Sequence, residues 1–154
     1  MNSTSPDQTP AEREASILIT ELMQRSRAAQ AVIEDYSQEQ IDELLRAMVW
    51  SCCQPGVAEE LAQHTLDETQ LGDYNGKFLK ISVKPRAALM DIIDDKSVGV
   101  IEEDLERNII KIAKPAGVIG ALSPSTNPEA TPVIKGINAV KGRNSIIIAP
   151  HPRA

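Results

Sequence analysis

The sequence predicts an incomplete α/β fold: a helical amino-terminal part, an antiparallel hairpin, and one strand–helix–strand unit. Three observations predict it. Apolar residues recur at helical spacing as far as Asp95. β-branched runs flank a polar segment between Val98 and Ile112. From Gly117 onward the order is strand, loop, helix, strand. Two strands of a parallel sheet do not make a domain, because such sheets are normally wider and covered on both faces.

Residues 1–8 read as a loose tail rich in Ser, Thr, Asn and Pro. Residues 9–95 read as the helical part. Thr9, Pro10 and Glu12 give a start signal, with a cap, a first-turn proline and a capping box. Ala15, Leu18, Ile19, Leu22 and Ala29 then recur on one face. Ser37 with Gln40 makes a second box, ahead of a stripe of Ile41, Leu44, Leu45, Met48 and Cys52. Pro55 and Gly56 break that helix. A third is expected from about Val57 to Leu71, capped by Gly72. Pro85 interrupts the stretch Asn75–Asp95, so two shorter helical pieces are expected there. Residues 96–114 read as a hairpin whose turn is the polar segment Glu102–Asn108. In residues 115–154, Gly117–Leu122 and Ser145–Ala149 are strands, Ser123–Pro128 is a loop, and a helix ends at Lys141 before Gly142.

Composition narrows the function classes. The chain has 154 residues, is 42% hydrophobic and only 3% aromatic, so its core rests on aliphatic side chains. Its net charge of -6 argues against nucleic acid, whose phosphates call for a basic face. Cys52 and Cys53 are adjacent and suggest no disulfide framework, which fits a reducing compartment. No run nears the ~18 apolar residues of a membrane span, and a soluble, cytoplasmic protein is expected.

The segment Ile112-Ala-Lys-Pro-Ala-Gly-Val-Ile-Gly-Ala-Leu-Ser-Pro-Ser-Thr-Asn-Pro carries the chemistry. It brings a loop from the carboxyl end of a parallel strand to a helix start, the place where open α/β sheets bind ligands. Amides at a helix start favour anions such as a pyrophosphate. Gly117 and Gly120 do not complete a GxGxxG fingerprint, so spacing alone gives a weak nucleotide signal. Asn127 precedes Pro128 and a helix, and by spacing alone reads as an N-cap, with Thr131 as its rival.

Resemblance sharpens this. Lys114-Pro-Ala-Gly-Val, the strand, and Pro124-Ser-Thr-Asn-Pro128 resemble the aldehyde dehydrogenase superfamily. The loop is similar to that of the CoA-acylating branch, which includes the aldehyde half of bifunctional aldehyde–alcohol dehydrogenases. Hydrolytic members usually have a Trp after the first proline. Lys141-Gly-Arg-Asn-Ser-Ile-Ile-Ile-Ala-Pro-His-Pro-Arg-Ala resembles a second motif of the acylating branch. Leu61–Gly72 and Ser97–Asp104 resemble its helix end and its hairpin more loosely. The likeness runs from about Ile17 to Ala154.

The resemblance implies the start of a Rossmann-like nucleotide domain and a projecting hairpin used in homo-oligomers. It implies NAD or NADP as cofactor, coenzyme A as cosubstrate and a short-chain aldehyde as substrate. The implied reaction interconverts the aldehyde and its acyl-CoA through a cysteine thioester. Asn127 is the implied oxyanion donor. Ser123, Pro124, Ser125 and Thr126, with Ala149, Pro150, His151 and Pro152, are the implied nucleotide contacts. The Pro150-His-Pro motif replaces the ribose-binding Lys of hydrolytic members, so those ribose contacts do not carry over.

Other polar residues read blandly. His64 lies at helical spacing from Leu61 and is expected to be packed or half-exposed. Cys52 and Cys53 read as buried thiols, and the Glu102–Glu106 run as a solvated turn rather than a metal site. The nucleophile and acid–base residues are expected beyond Ala154, leaving this stretch inactive alone. A hydrolytic dehydrogenase and a non-catalytic subunit-binding fragment are the alternatives.

Overall fold

The computed structural model describes residues 9–153, so the expected tail over 1–8 lies outside them. Helix α1 (Pro10–Ile33) opens on the expected box: Thr9 Oγ1 accepts from the Glu12 N–H, and Glu12 accepts from the Thr9 N–H at 2.7 Å. The Thr9 amide and hydroxyl hold the exposed Glu12 carboxyl below its ordinary pKa. Helix α2 (Gln38–Cys53) opens on Ser37 and Gln40 in the same way. Helix α3 (Val57–Thr69) follows the break at Gly56, whose φ of +88° suits glycine, and whose N–H donates to Glu59 at 2.7 Å. Helix α4 (Tyr74–Ile92) starts on Asp73, which accepts from the Gly76 N–H.

Strands β1 (Gly99–Asp104) and β2 (Ile109–Ala113) form the expected antiparallel hairpin, with a register shift between Val100 and Glu102; Glu102–Asp104, expected in its turn, instead pair with Ile109–Lys111 as part of β1. Strand β3 (Val118–Leu122), helix α5 (Thr131–Lys141) and strand β4 (Ser145–Ala149) complete the unit; β3 and β4 pair in parallel from Val118↔Ser145 to Leu122↔Ala149.

The core is where α2, α4 and α5 meet. Ile41, Leu45, Val49 and Cys53 line one face of α2 and pack with Ile137 and Val140. Ile41, Leu45, Ile81 and Ile137 are wholly buried, each worth about 1.5–3 kcal/mol of burial.

Four local expectations need correction. The core stripe of α2 is turned by one residue, so Cys53 is buried while Cys52 is half-buried. Leu18 and Ile19 of α1 are 56% and 54% exposed, because α1 meets the rest of the chain mainly near Gln30 and Ile33. Helix α3 ends at Thr69, with Gln70 rather than Gly72 as its left-handed cap. Pro85 does not split α4: it lies buried inside one continuous helix, because a side chain from α2 serves the carbonyl that it leaves open.

The segment after α5 ties these elements together. Gln30 donates to the Arg143 carbonyl at 2.7 Å and accepts from the Ser145 N–H at 2.6 Å, standing in for a main-chain partner at the head of β4. Lys141 donates to Asp42 and to the Ile93 carbonyl. Arg143, left-handed at φ 56°, donates to the carbonyls of Glu34 and Ala113. The Asn144 side-chain oxygen accepts from the N–H groups of Ala116 and Gly117, fixing the entry to β3. These four buried polar side chains are tolerated because each meets a main-chain group that would otherwise be orphaned.

Candidate functional site

The two parallel strands end level, at Leu122 and Ala149. The loops that follow therefore leave from one end of the sheet, and the Ser123 N–H donates to the Ala149 carbonyl at 2.9 Å, joining them. Residues 123–126 and 149–152, the expected ligand contacts, thus start side by side at Ser123 and Ala149. Such strand ends are the ordinary ligand position of open α/β sheets.

Several groups hold the first loop. Lys135 donates to the Leu122 carbonyl at 2.6 Å. Lys77, from the first turn of α4, donates to the Thr126 carbonyl at 2.8 Å. The Asn127 carbonyl accepts from the Thr131 N–H at 3.1 Å, closing the turn into α5. The half-buried Asn127 side chain donates to Thr126 Oγ1 at 3.2 Å.

Neither expected cap is used. The N-cap of α5 is Ala130, without a side-chain bond, and Thr131 is already helical. The Asn127 side-chain oxygen is thus not spent on the helix, while its Nδ2 donates to Thr126 Oγ1. The expected anion site at the start of α5 is also poorer than its position suggests. The Thr131 N–H is spent on Asn127, Pro132 has none, and the Ile134 N–H serves the Ala130 carbonyl, leaving Val133 to offer an amide.

Ser123 is buried, and its hydroxyl has no hydrogen-bond partner among the described residues. A buried hydroxyl of this kind at the strand end fits a polar ligand group. Pro124, Thr126, Ala149, Pro150 and Pro152 are exposed, while Ser125 and His151 are half-buried. His151 Nδ1 accepts from the Arg153 N–H at 3.1 Å, so that ring nitrogen is occupied within its own turn. Two open grooves of about 530 and 570 Å³ flank the sheet. The first lies between α1 and β4, the second beside β3 and α5. Among the expected contacts, neither groove includes a loop residue, so the candidate site is the strand-end surface.

Sequence reading missed Lys77 and Glu129. Both side chains are buried, with Lys77 Nζ 3.9 Å from a Glu129 oxygen. Only a charged residue in an apolar helical stretch hinted at Lys77. The other polar residues stand apart from the loop. His64 is exposed on α3 rather than packed or half-exposed. In the hairpin, Glu102 pairs with Lys111 at 2.6 Å, and Asp104 with Arg107 at 3.7 Å. Among the described residues no cluster of three His, Cys, Asp or Glu could hold a metal, and no helix is long and apolar enough to cross a membrane.

No family model matches the chain. It is 43% identical over 137 residues to a sulfoacetaldehyde dehydrogenase of Acholeplasma sp, covering 89% of this chain and 28% of that protein. It is 42% identical over 138 residues to the acetylating succinate-semialdehyde dehydrogenase of Clostridium kluyveri, covering 90% of this chain and 30% of that one. The crystal structure of an acetylating aldehyde dehydrogenase from Geobacillus thermoglucosidasius superposes with a TM-score of 0.88 at 31% identity, over 96% of this chain and 32% of that one. The chain thus spans about a third or less of the relatives it matches.

Proposed function

Because the homologues of this chain are acylating aldehyde dehydrogenases, we propose that it is the amino-terminal part of such an enzyme, interconverting a short-chain aldehyde and its acyl-CoA. The observation that carries this reading is the loop Ser123–Pro128. It combines the branch-specific Pro-Ser-Thr-Asn-Pro sequence with a place at the carboxyl end of a parallel strand.

An engineered glycolyl-CoA reductase of similar fold holds NADP+, and a propionaldehyde dehydrogenase of Rhodopseudomonas palustris holds coenzyme A, which fits NAD or NADP as cofactor and coenzyme A as cosubstrate here. The nucleotide supplies hydride acceptance or donation when bound. Ser123 offers its orphaned hydroxyl to that ligand, and Pro124, Ser125 and Thr126 shape one wall of its path. Ala149, Pro150, His151 and Pro152 shape the facing wall. Asn127, uncommitted to the helix, donates its amide to the oxyanion that develops on the aldehyde oxygen. A donor aimed at charge that appears during reaction lowers the barrier without tightening the ground state. The attacking thiolate and the acid–base groups belong to the rest of the polypeptide, which this reading places in the cytoplasm.

Asn127→Ala in the complete enzyme tests the assignment. The hydride step, followed by rapid mixing, is expected to slow by ~10²–10³, with nucleotide affinity and thermal unfolding nearly unchanged. A normal hydride rate with a melting point several degrees lower would make Asn127 structural.

A further inference from the structure

Lys77 and Glu129 are the buried charged pair that the reading above leaves without a task. Lys77 is 2% exposed, and the Glu129 side chain is fully enclosed. At 3.9 Å the two form an ion pair but no hydrogen bond, and both Glu129 oxygens lack a hydrogen-bond partner among the described residues. Burying two charges in this way is a poor route to stability, since desolvation offsets most of the attraction. The one short bond of the pair is from Lys77 Nζ to the Thr126 carbonyl, at 2.8 Å. That carbonyl belongs to the peptide joining Thr126 to Asn127. The lysine thus reaches across 49 residues of sequence to hold the peptide unit from which the Asn127 side chain departs.

We propose that Lys77, held in place beside Glu129, is a positioning residue that sets where the Asn127 amide points. The inference rests on the oxyanion reading of Asn127. Two features of the loop favour it. Pro124 and Pro128 bracket the peptide and remove two amides that might have fixed it locally. Downstream, the Thr131 bond fixes the Asn127 carbonyl and leaves the preceding peptide plane to Lys77. An oxyanion donor misplaced by a fraction of an ångström loses much of its effect, because the interaction is directional and acts in a water-poor site.

The test is a double-mutant cycle on the hydride step of the complete enzyme, using Lys77→Met, Asn127→Ala and their combination. Lys77→Met is expected to slow the step by between ~10-fold and 10²-fold, with nucleotide affinity unchanged. It should add almost nothing in the Asn127→Ala background, since a residue acting through Asn127 has nothing left to position. A merely structural lysine would lower the melting point and multiply with Asn127→Ala. Should Lys77→Met alone not fold, Lys77→Met with Glu129→Gln removes both buried charges and is read in the same cycle. Failure of both to fold overturns the proposal. If Asn127→Ala slows the step but the Lys77 variant does not, or if the effects multiply, the positioning role is wrong and the oxyanion reading stands. A normal rate for Asn127→Ala overturns the oxyanion reading, and the positioning role falls with it.

Discussion

The Cys53 thiol donates to the main-chain carbonyl of Ile81 at 3.0 Å, and that carbonyl is the one Pro85 cannot serve from four residues on. In return Arg86 donates to the Cys53 carbonyl at 2.7 Å, satisfying an acceptor in the last turn of α2. The end of one helix and the middle of another each supply what the other lacks. This exchange lets α4 run unbroken from Tyr74 to Ile92 around a proline.

Cys53→Ala should therefore destabilise the chain through a small cavity and a stranded carbonyl, by about 1–3 kcal/mol for the lost partner. In a Pro85→Ala background an amide returns to Ile81, and the same substitution should cost less. Urea unfolding of the four proteins measures the coupling. Equal costs in both backgrounds would mean that the thiol fills space and nothing more.

The two cysteines should differ in reactivity although they are neighbours. Burial pushes the Cys53 thiol pKa up, and the nearby Arg86 lowers it only in part. A raised pKa leaves less thiolate at any given pH. Cys52 is only half-buried. An aromatic disulfide reagent at mildly alkaline pH should modify Cys52 first and Cys53 only on unfolding, as read by peptide mass spectrometry. Early labelling of Cys53 would contradict the packing.

Gln30→Ala strands the Ser145 N–H and the Arg143 carbonyl together, at about 1–3 kcal/mol for each buried group left alone. Gln30→Glu keeps the acceptor but turns a carboxylate toward the Arg143 carbonyl, so it should not recover the loss. A melting temperature within error of the parent for either variant would show that water replaces the amide.

The hairpin over 96–114 is the candidate self-association element. Ile110 and Ile112 are 61% and 57% exposed, and an open strand edge is a ready pairing surface. Deleting Gly99–Ala113 from the complete polypeptide is expected to reduce its oligomeric state by light scattering. An assembly that survives deletion would remove that role.

Much of the fold was legible because its signals are local. Capping boxes at Thr9 and Ser37, the β-branched runs around Asp104, and the strand–loop–helix–strand order each depend on a few neighbouring residues. What was hidden depends on partners distant in sequence. Pro85 reads as a break until Cys53 is beside Ile81. Gln30 has a partner only in the Arg143–Ser145 segment, 113 residues on. Helical spacing also leaves the phase of an apolar stripe open by one residue, which is the difference between Cys52 and Cys53. At the site, the resemblance picked out Asn127. Lys77 was invisible because the carbonyl it meets belongs to a loop whose course only the folded chain defines.

The run from Lys141 to Asn144 has a practical consequence for engineering. Its side chains are spent on carbonyls and amides of other elements, and none faces the strand-end surface as a free group. A mutant library would lose most of its members to misfolding if it randomised Lys141, Arg143, Asn144 or Gln30. Diversity placed at Pro124, Ser125, Pro150 and Pro152 would instead sample exposed or half-buried positions whose side chains make no such bond. The turn from α5 into β4 is thus the wrong stretch to vary when the fold is to be kept.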